Sequence, residues 1–161
     1  MTLTFDIETN GNSSLCNRIT CISTNREGKI VSFYGEDESK IIKDFWDYVQ
    51  DGEELNGFNT DEYDIPFLLK RNFLKGIKIK KFKSVDIRKI INSFFYSYKK
   101  YEEGKKSDYA MLLGLQRVTD DGFMMIIHYE NRDWEKIREH CEEDVRVEYE
   151  IYKRLKELNF I

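Results

Sequence analysis

The sequence predicts an α/β fold in which a mixed β-sheet is flanked by helices. Three observations carry that reading. The chain opens on a short apolar run rich in strand formers, Met1 to Ile7. Two more strand-like runs follow with a turn signal between them, and segments of helical and strand period then alternate to the end of the chain.

Taken in order, Ile19 to Thr24 and Lys29 to Tyr34 flank Asn25-Arg26-Glu27-Gly28, so the two runs read as a hairpin beside the first strand. Glu38 to Gln50 places Ile41, Ile42, Phe45, Trp46 and Val49 at helical spacing, and Asp51-Gly52 closes that helix. Glu54 to Phe58 reads as a short strand. Asp61 to Phe73 reads as a helix with Pro66 in its first turn, where a missing N–H costs little. Ile77 to Phe82 is a candidate strand. Ser84 or Asp86 is placed to cap a helix running through Phe95, and Ser107 or Asp108 to cap another through Leu113, closed by Gly114. The last helix is long, from about Asp133 to Leu158. Tyr96 to Lys106 has no clear period and reads as a loop or a helix end running into one.

The 161 residues suffice for one domain with a core, and the expectation is a single domain over 1–161. Hydrophobic residues are 40% and charged residues 35%, the balance of a globular chain with a strongly charged surface. No apolar run reaches membrane-spanning length, and the first residues lack a basic n-region, so neither a membrane span nor a signal peptide is expected. Cys16, Cys21 and Cys141 are odd in number and lack paired spacing. They read as free thiols in a reducing, cytoplasmic setting rather than as a disulfide framework or a zinc site.

The net charge of −4 hides an asymmetry: Lys75 to Lys106 carries 11 Lys/Arg against 3 Asp/Glu, while the rest of the chain is acidic. An acidic body with a basic arm suits carboxylates that bind metal and an arm that binds phosphate. The basic segment interleaves lysines with Phe82, Phe94, Phe95, Tyr96, Tyr98 and Tyr101. That mixture suits a single strand, with charge for phosphates and rings for bases, and equally a solvated lysine face over core phenylalanines.

Asp6 and Glu8 stand at i and i+2 on the first strand and so point to one side of the sheet. Side by side they repel, and such a pair is tolerated when a positive group, often a divalent metal, sits between them. Two further acids matter. Asp64 begins the helix after the fourth strand, in Asn59-Thr60-Asp61-Glu62-Tyr63-Asp64, and Asp144 lies in the last helix four residues after His140, on the same face. Singly each has an ordinary reading: surface charge for the dyad, a helix cap for Asp64, a solvated helix pair for His140 and Asp144.

Together and in this order they resemble the motifs of the DEDD superfamily of 3′–5′ exonucleases, nearest to the proofreading domain of family-B DNA polymerases. Phe5-Asp6-Ile7-Glu8-Thr9 is similar to the first motif, Asn59 to Asp64 with Tyr63 as its aromatic to the second, and His140-x-x-x-Asp144 to the third. Ser107 to Leu115 and Val145 to Leu155 resemble the family's last two helices, so the likeness spans nearly the whole chain. His140 departs from it, standing at the spacing of the tyrosine branch but with the residue of the histidine branch.

The resemblance implies a ribonuclease H-like sheet and two Mg²⁺ or Mn²⁺ ions held by Asp6, Glu8, Asp64 and Asp144, with Asp6 bridging. It implies hydrolysis of the terminal phosphodiester, with His140 either taking the proton of the attacking water or only orienting that water, and with Thr9, Asn59 and Tyr63 near the substrate. His128 and Tyr129 read as structural. Single-stranded DNA is the favoured substrate. An RNA 3′-trimming nuclease and a non-catalytic nucleic-acid-binding module are the alternatives. A proofreading role would require a partner in replication or repair, since the chain has no polymerase domain.

Overall fold

The computed structural model of the protein describes residues 1–96, 104–116, 119 and 122–161. Among them run five strands, β1 (Thr2–Thr9), β2 (Ile19–Arg26), β3 (Lys29–Tyr34), β4 (Glu53–Gly57) and β5 (Phe82–Asp86). Six helices accompany them: α1 (Glu38–Tyr48), α2 (Asp64–Lys75), α3 (Ile87–Tyr96), α4 (Lys106–Leu112), α5 (Met124–Glu130) and α6 (Trp134–Glu157). The sheet order is β3-β2-β1-β4-β5, with β1 in the centre. β1, β2 and β3 pair antiparallel, while β4 pairs parallel to β1 and to β5. This is the mixed sheet flanked by helices that the sequence predicts.

The hairpin turn is tight. Glu27 and Gly28 both take positive φ, of 54° and 88°, and Arg26 faces Lys29, so two residues in left-handed geometry match the twist of the flanking strands.

β1 is buried on both faces because its alternate residues serve different layers. Leu3, Phe5 and Ile7 join Ile41, Ile42, Phe45 and Trp46 of α1 and Phe67 and Leu68 of α2 in one apolar cluster. The other face, bearing Thr4, Asp6 and Glu8, lies under α6. A second cluster joins Ile87 and Ile91 of α3, Ala110 of α4 and Val147, Ile151 and Leu155 of α6.

α1 and α2 are tied to the sheet by one buried carboxylate. Glu38 accepts from Arg71 Nε and Nη2, each at 2.7 Å, and from the Ile19 backbone N–H at 2.9 Å. Burial pushes the Glu38 carboxyl up, but the Arg71 and Ile19 hydrogen bonds outweigh it and hold the group below its ordinary value.

Several boundaries differ from the sequence expectation. The fifth strand is Phe82–Asp86, not Ile77 to Phe82. The Ile77/Ile79 alternation suggests a strand, yet it is Phe82 to Asp86 that continues the parallel register with Glu53 to Gly57. Residues 78–81 link instead to the end of α1, where Lys80 Nζ donates to the backbone carbonyls of Asp47 and Val49. α2 begins at Asp64 rather than Asp61, because residues 58–63 form a turn carrying Asn59 at φ 66°. Of the two candidate caps for α3, Asp86 does the work, accepting from Lys89 N at 3.1 Å. Neither Ser107 nor Asp108 is the N-cap of α4: that position is Lys105, whose backbone N–H donates to Asp108 at 2.7 Å. Helix α5 had no start signal, and its Met125 packs with Cys21, Ile137 and Cys141.

Arg71→Met strips the buried Glu38 carboxylate of its two-pronged partner and leaves it only the half-exposed Lys75 and the Ile19 N–H, so chemical denaturation should show a loss approaching about 3 kcal/mol. Because Glu38 is held below its ordinary value, the stability it contributes is full above its unfolded pKa and is lost as pH falls through the folded one. Glu38→Gln should therefore flatten the acid limb of the stability–pH curve relative to the wild type.

Candidate active site

Three elements bring the predicted acids together. β1 supplies Asp6 and Glu8, the first residue of α2 is Asp64, and α6 supplies His140 and Asp144. All five line a cleft of about 710 Å³ shared with Asn59, Tyr63 and Lys106. Each is nearly buried, so the cluster sits at the base of the opening and not on an outer surface.

A match of periods sets α6 against β1. Four helical residues rise about 6.0 Å, and two strand residues about 6.6 Å. Contacts therefore recur as the two elements run in opposite directions. His140 Nε2 lies 3.6 Å from Glu8 Oε1. Asp144 meets Asp6 through Lys106. Tyr152 donates to Glu54 Oε1 at 2.7 Å beside Thr2. Glu148, between Asp144 and Tyr152 on this face, is fully buried and accepts from Lys106.

The supporting contacts orient the acids. Asp64 Oδ1 accepts from the Ile7 backbone N–H at 3.3 Å, which ties α2 to β1 between the two residues of the dyad. Gly57 allows β4 to close on β1, since a Cβ there would come 2.7 Å from the Phe5 carbonyl oxygen. Asp86 accepts from the backbone N–H of Asn59 and of Asp61, and Arg88 donates to Asn59 Oδ1 at 2.9 Å, so the turn before Asp64 is held from β5 and α3. Tyr63 and Thr9 hydroxyls are 2.9 Å apart, and Thr9 also donates to Gly11 O. Asn59 and Tyr63 thus line the cleft, while Thr9 stands behind Tyr63 and braces it.

His140 has a defined orientation. Thr119 Oγ1 gives its single proton to Glu143 in a short hydrogen bond, so the same oxygen, 3.0 Å from His140 Nδ1, must accept from the ring. The neutral imidazole then carries its proton on Nδ1 and turns a bare Nε2 toward Glu8 and Asp144. Thr119 and Glu143 were not singled out in the sequence; a threonine in a connecting segment gives no signal of its own.

Lys106 is the unexpected member. Its ammonium lies 3.2 Å from Asp6 Oδ1, 2.8 Å from Asp144 Oδ2 and 2.8 Å from Glu148 Oε1. Sequence reasoning placed it in a basic arm for phosphate, but here it turns inward. Other members of that segment also pair within the fold: Lys75 with Glu38, Arg88 with Glu62 and Lys89 with Asp61. Lys105 and Ser107 do face the cleft. Tyr98 and Tyr101 lie outside the described residues.

Burial pushes the carboxyls of Asp6, Glu8, Asp64 and Glu148 above their ordinary values, most strongly for the last three, and neighbouring acids add to the effect. Lys106 opposes the rise in all four. Burial would lower the Lys106 pKa, but Asp6, Glu148 and Asp144 hold it well above the ordinary value.

The donor set suits a divalent cation. Single ligand atoms of Glu8, His140 and Asp144 lie within 4.8 Å of one another, as do those of Asp6, Glu8 and Cys141. Carboxylate oxygens dominate, and the cluster already gathers an ammonium among them. Cys141, buried, donates to the Asp6 backbone carbonyl at 3.4 Å and lies behind the dyad. His128 lies against Asp133 and Tyr129 against Trp134, outside the cleft. No helix among the described residues is long and apolar enough to cross a membrane.

A protein of Methanocaldococcus jannaschii, described as the uncharacterized protein MJ0365, is 33% identical over 172 aligned positions, which cover 97% of this chain and 96% of that one. A family model described as the RNase_H superfamily matches residues 3–156. The chain belongs to the RNase_H superfamily.

Proposed function

We propose that the protein is a metal-dependent 3′–5′ exonuclease of the DEDD type, nearest to the tyrosine branch found in family-B polymerase proofreading domains. Superfamily membership suggests a nuclease. The observation that carries the finer reading is the convergence of Asp6, Glu8, Asp64 and Asp144, from three separate elements, with His140 in one cleft. An ordinary structural charge pair has no need of four mutually repelling acids.

In this reading Asp6, Glu8, Asp64 and Asp144 hold two Mg²⁺ or Mn²⁺ ions. Bound there, the ions supply the charge that stabilises the attacking and leaving oxygens of an in-line displacement. His140 Nε2, bare in the tautomer fixed by Thr119, accepts the proton of the water that attacks the terminal phosphodiester. The product is a nucleoside 5′-monophosphate. Asn59 and Tyr63, on the cleft wall, contact the 3′-terminal nucleotide, and Thr9 holds the Tyr63 hydroxyl in place. Single-stranded DNA is the favoured substrate by likeness to the DEDD exonucleases, and Lys105, Phe58 and Tyr63 on the cleft lining suit a single strand, with charge for phosphates and rings for bases.

End-labelled single- and double-stranded DNA and RNA, each incubated with Mg²⁺, Mn²⁺ or EDTA, test the assignment. The expected result is stepwise shortening from the 3′ end that EDTA abolishes. Shortening of RNA alone would move the reading to a 3′-trimming ribonuclease, and metal-dependent binding without cleavage to a non-catalytic module. Asp6→Ala and Asp144→Ala should each reduce the rate by about 10²–10³-fold or more, the scale of losing charge stabilisation in a transition state. Wild-type rates in either variant would exclude the site.

His140→Phe should lower the rate and change the shape of the pH–rate profile, since the base is lost. An unchanged profile shape would leave His140 no role as a base.

The raised carboxyls carry a stability consequence of opposite sign to Glu38. A group whose folded pKa is raised costs stability as pH climbs through that value. Asp64→Asn keeps the acceptor for Ile7 N–H and removes the buried charge, so the metal-free variant should melt at a higher temperature than the wild type at neutral pH, and the gap should narrow in acid.

A further inference from the structure

We propose that Lys106 is a built-in cation that holds the carboxylate cluster together in the metal-free chain, and that an incoming divalent metal displaces it from Asp6 and Asp144 onto Glu148. The inference rests on the metal-binding reading above and adds to it a competitor and a place for that competitor to go.

Two of the three acceptors of the Lys106 ammonium, Asp6 Oδ1 and Asp144 Oδ2, belong to proposed metal ligands. A divalent ion at those ligands competes for the same oxygens and repels the ammonium. Lys106 therefore cannot keep its present contacts once a metal arrives. The third acceptor is different. Glu148 is fully buried, lies one helical turn beyond Asp144, and is not among the four acids of the proposed metal site. Its Oε1 already accepts from Lys106 at 2.8 Å, while its Oε2 has no hydrogen-bond partner among the described residues.

The neighbouring strand supplies more unused capacity. Asn56 is fully buried, and neither its Oδ1 nor its Nδ2 is hydrogen-bonded among the described residues. It pairs with Thr4 on the face that α6 covers, one strand step from Asp6. A fully buried amide with both atoms unpaired is costly unless some state of the protein uses it. An ammonium has three protons to place. Retreat toward Glu148 offers it both carboxylate oxygens, one of which it already holds. The device lets one lysine neutralise buried acids before metal arrives without occupying their oxygens afterwards.

Calorimetric titration of the full chain with MnCl₂, alongside melting of the metal-free protein, tests the proposal. Lys106→Met should bind Mn²⁺ on the order of tenfold more tightly than the wild type, the usual size of a coupling between competing ligands, and should melt at a lower temperature without metal. Glu148→Gln should weaken Mn²⁺ binding, because the displaced ammonium loses its counter-charge. In the Lys106→Met/Glu148→Gln protein that weakening should vanish. The double variant loses both members of the pair and so also serves if Lys106→Met alone does not fold: it should bind Mn²⁺ more tightly than the wild type.

Equal or weaker binding on removal of Lys106 would overturn the inference, as would a Glu148→Gln penalty that persists without the lysine. A stoichiometry that rises from one Mn²⁺ to two in Lys106→Met, at unchanged affinity, would mean that the lysine permanently takes an ion's place, and would also overturn it. If wild type and variants all fail to bind Mn²⁺, the metal-binding reading itself falls. If the wild type binds and Lys106→Met binds identically, only the displacement fails.

Discussion

Burying like charges is the constraint on which this structure turns. Asp6, Glu8, Asp64, Asp144 and Glu148 are all nearly or fully removed from solvent in one neighbourhood. Left alone, such a set would neutralise by protonation or force the fold apart. Lys106 bridges three of the five, and His140 lies near Glu8 and Asp144. Much of the remaining architecture serves to hold these groups where they repel one another. A five-stranded sheet fixes β1 at its centre, the Glu38–Arg71 pair fastens α1 and α2 to one face, and α6 lies along the other.

The agreement of two periods makes that arrangement possible. A helix turn and a strand pair advance by nearly the same distance, so a helix antiparallel to a strand presents one side chain to each alternate strand residue over three or four steps. His140, Asp144, Glu148 and Tyr152 occupy these steps in turn. The polar end of the ladder, with His140 and Asp144, opens on the cleft, and its other end, with Tyr152, packs beside the apolar cluster of α3 and α4. Function and core are thus successive levels of one helix–strand interface.

The spacing of the acids was readable in the sequence because strand and helix periods are local properties. Asp6 and Glu8 share a face by alternation, His140 and Asp144 by the helical turn, and Asp64 follows from the motif that contains Asn59 and Tyr63. What was hidden depends on tertiary placement. The basic run from Lys75 gave no sign of which lysine would turn inward, since charge counting treats all 11 alike. Glu148 was not singled out, being one of many charges on the last helix. Its spacing from Asp144 was a usable signal, because Val147 and Ile151 beside it show that this side of α6 is buried. The strand at Phe82 to Asp86 was masked by stronger alternation just before it. Its true position is set by pairing with β4, a non-local contact. The Thr119 relay to His140 joins a connecting segment to α6, and no local pattern announces it.

Crystals grown with Mn²⁺ and measured for anomalous scattering test most directly whether this cluster is a cation site. The account predicts anomalous density among the carboxylates of Asp6, Glu8, Asp64 and Asp144, with the Lys106 side chain withdrawn to Glu148. Manganese absent from the cluster, with Lys106 still bound to Asp6 and Asp144, would contradict it.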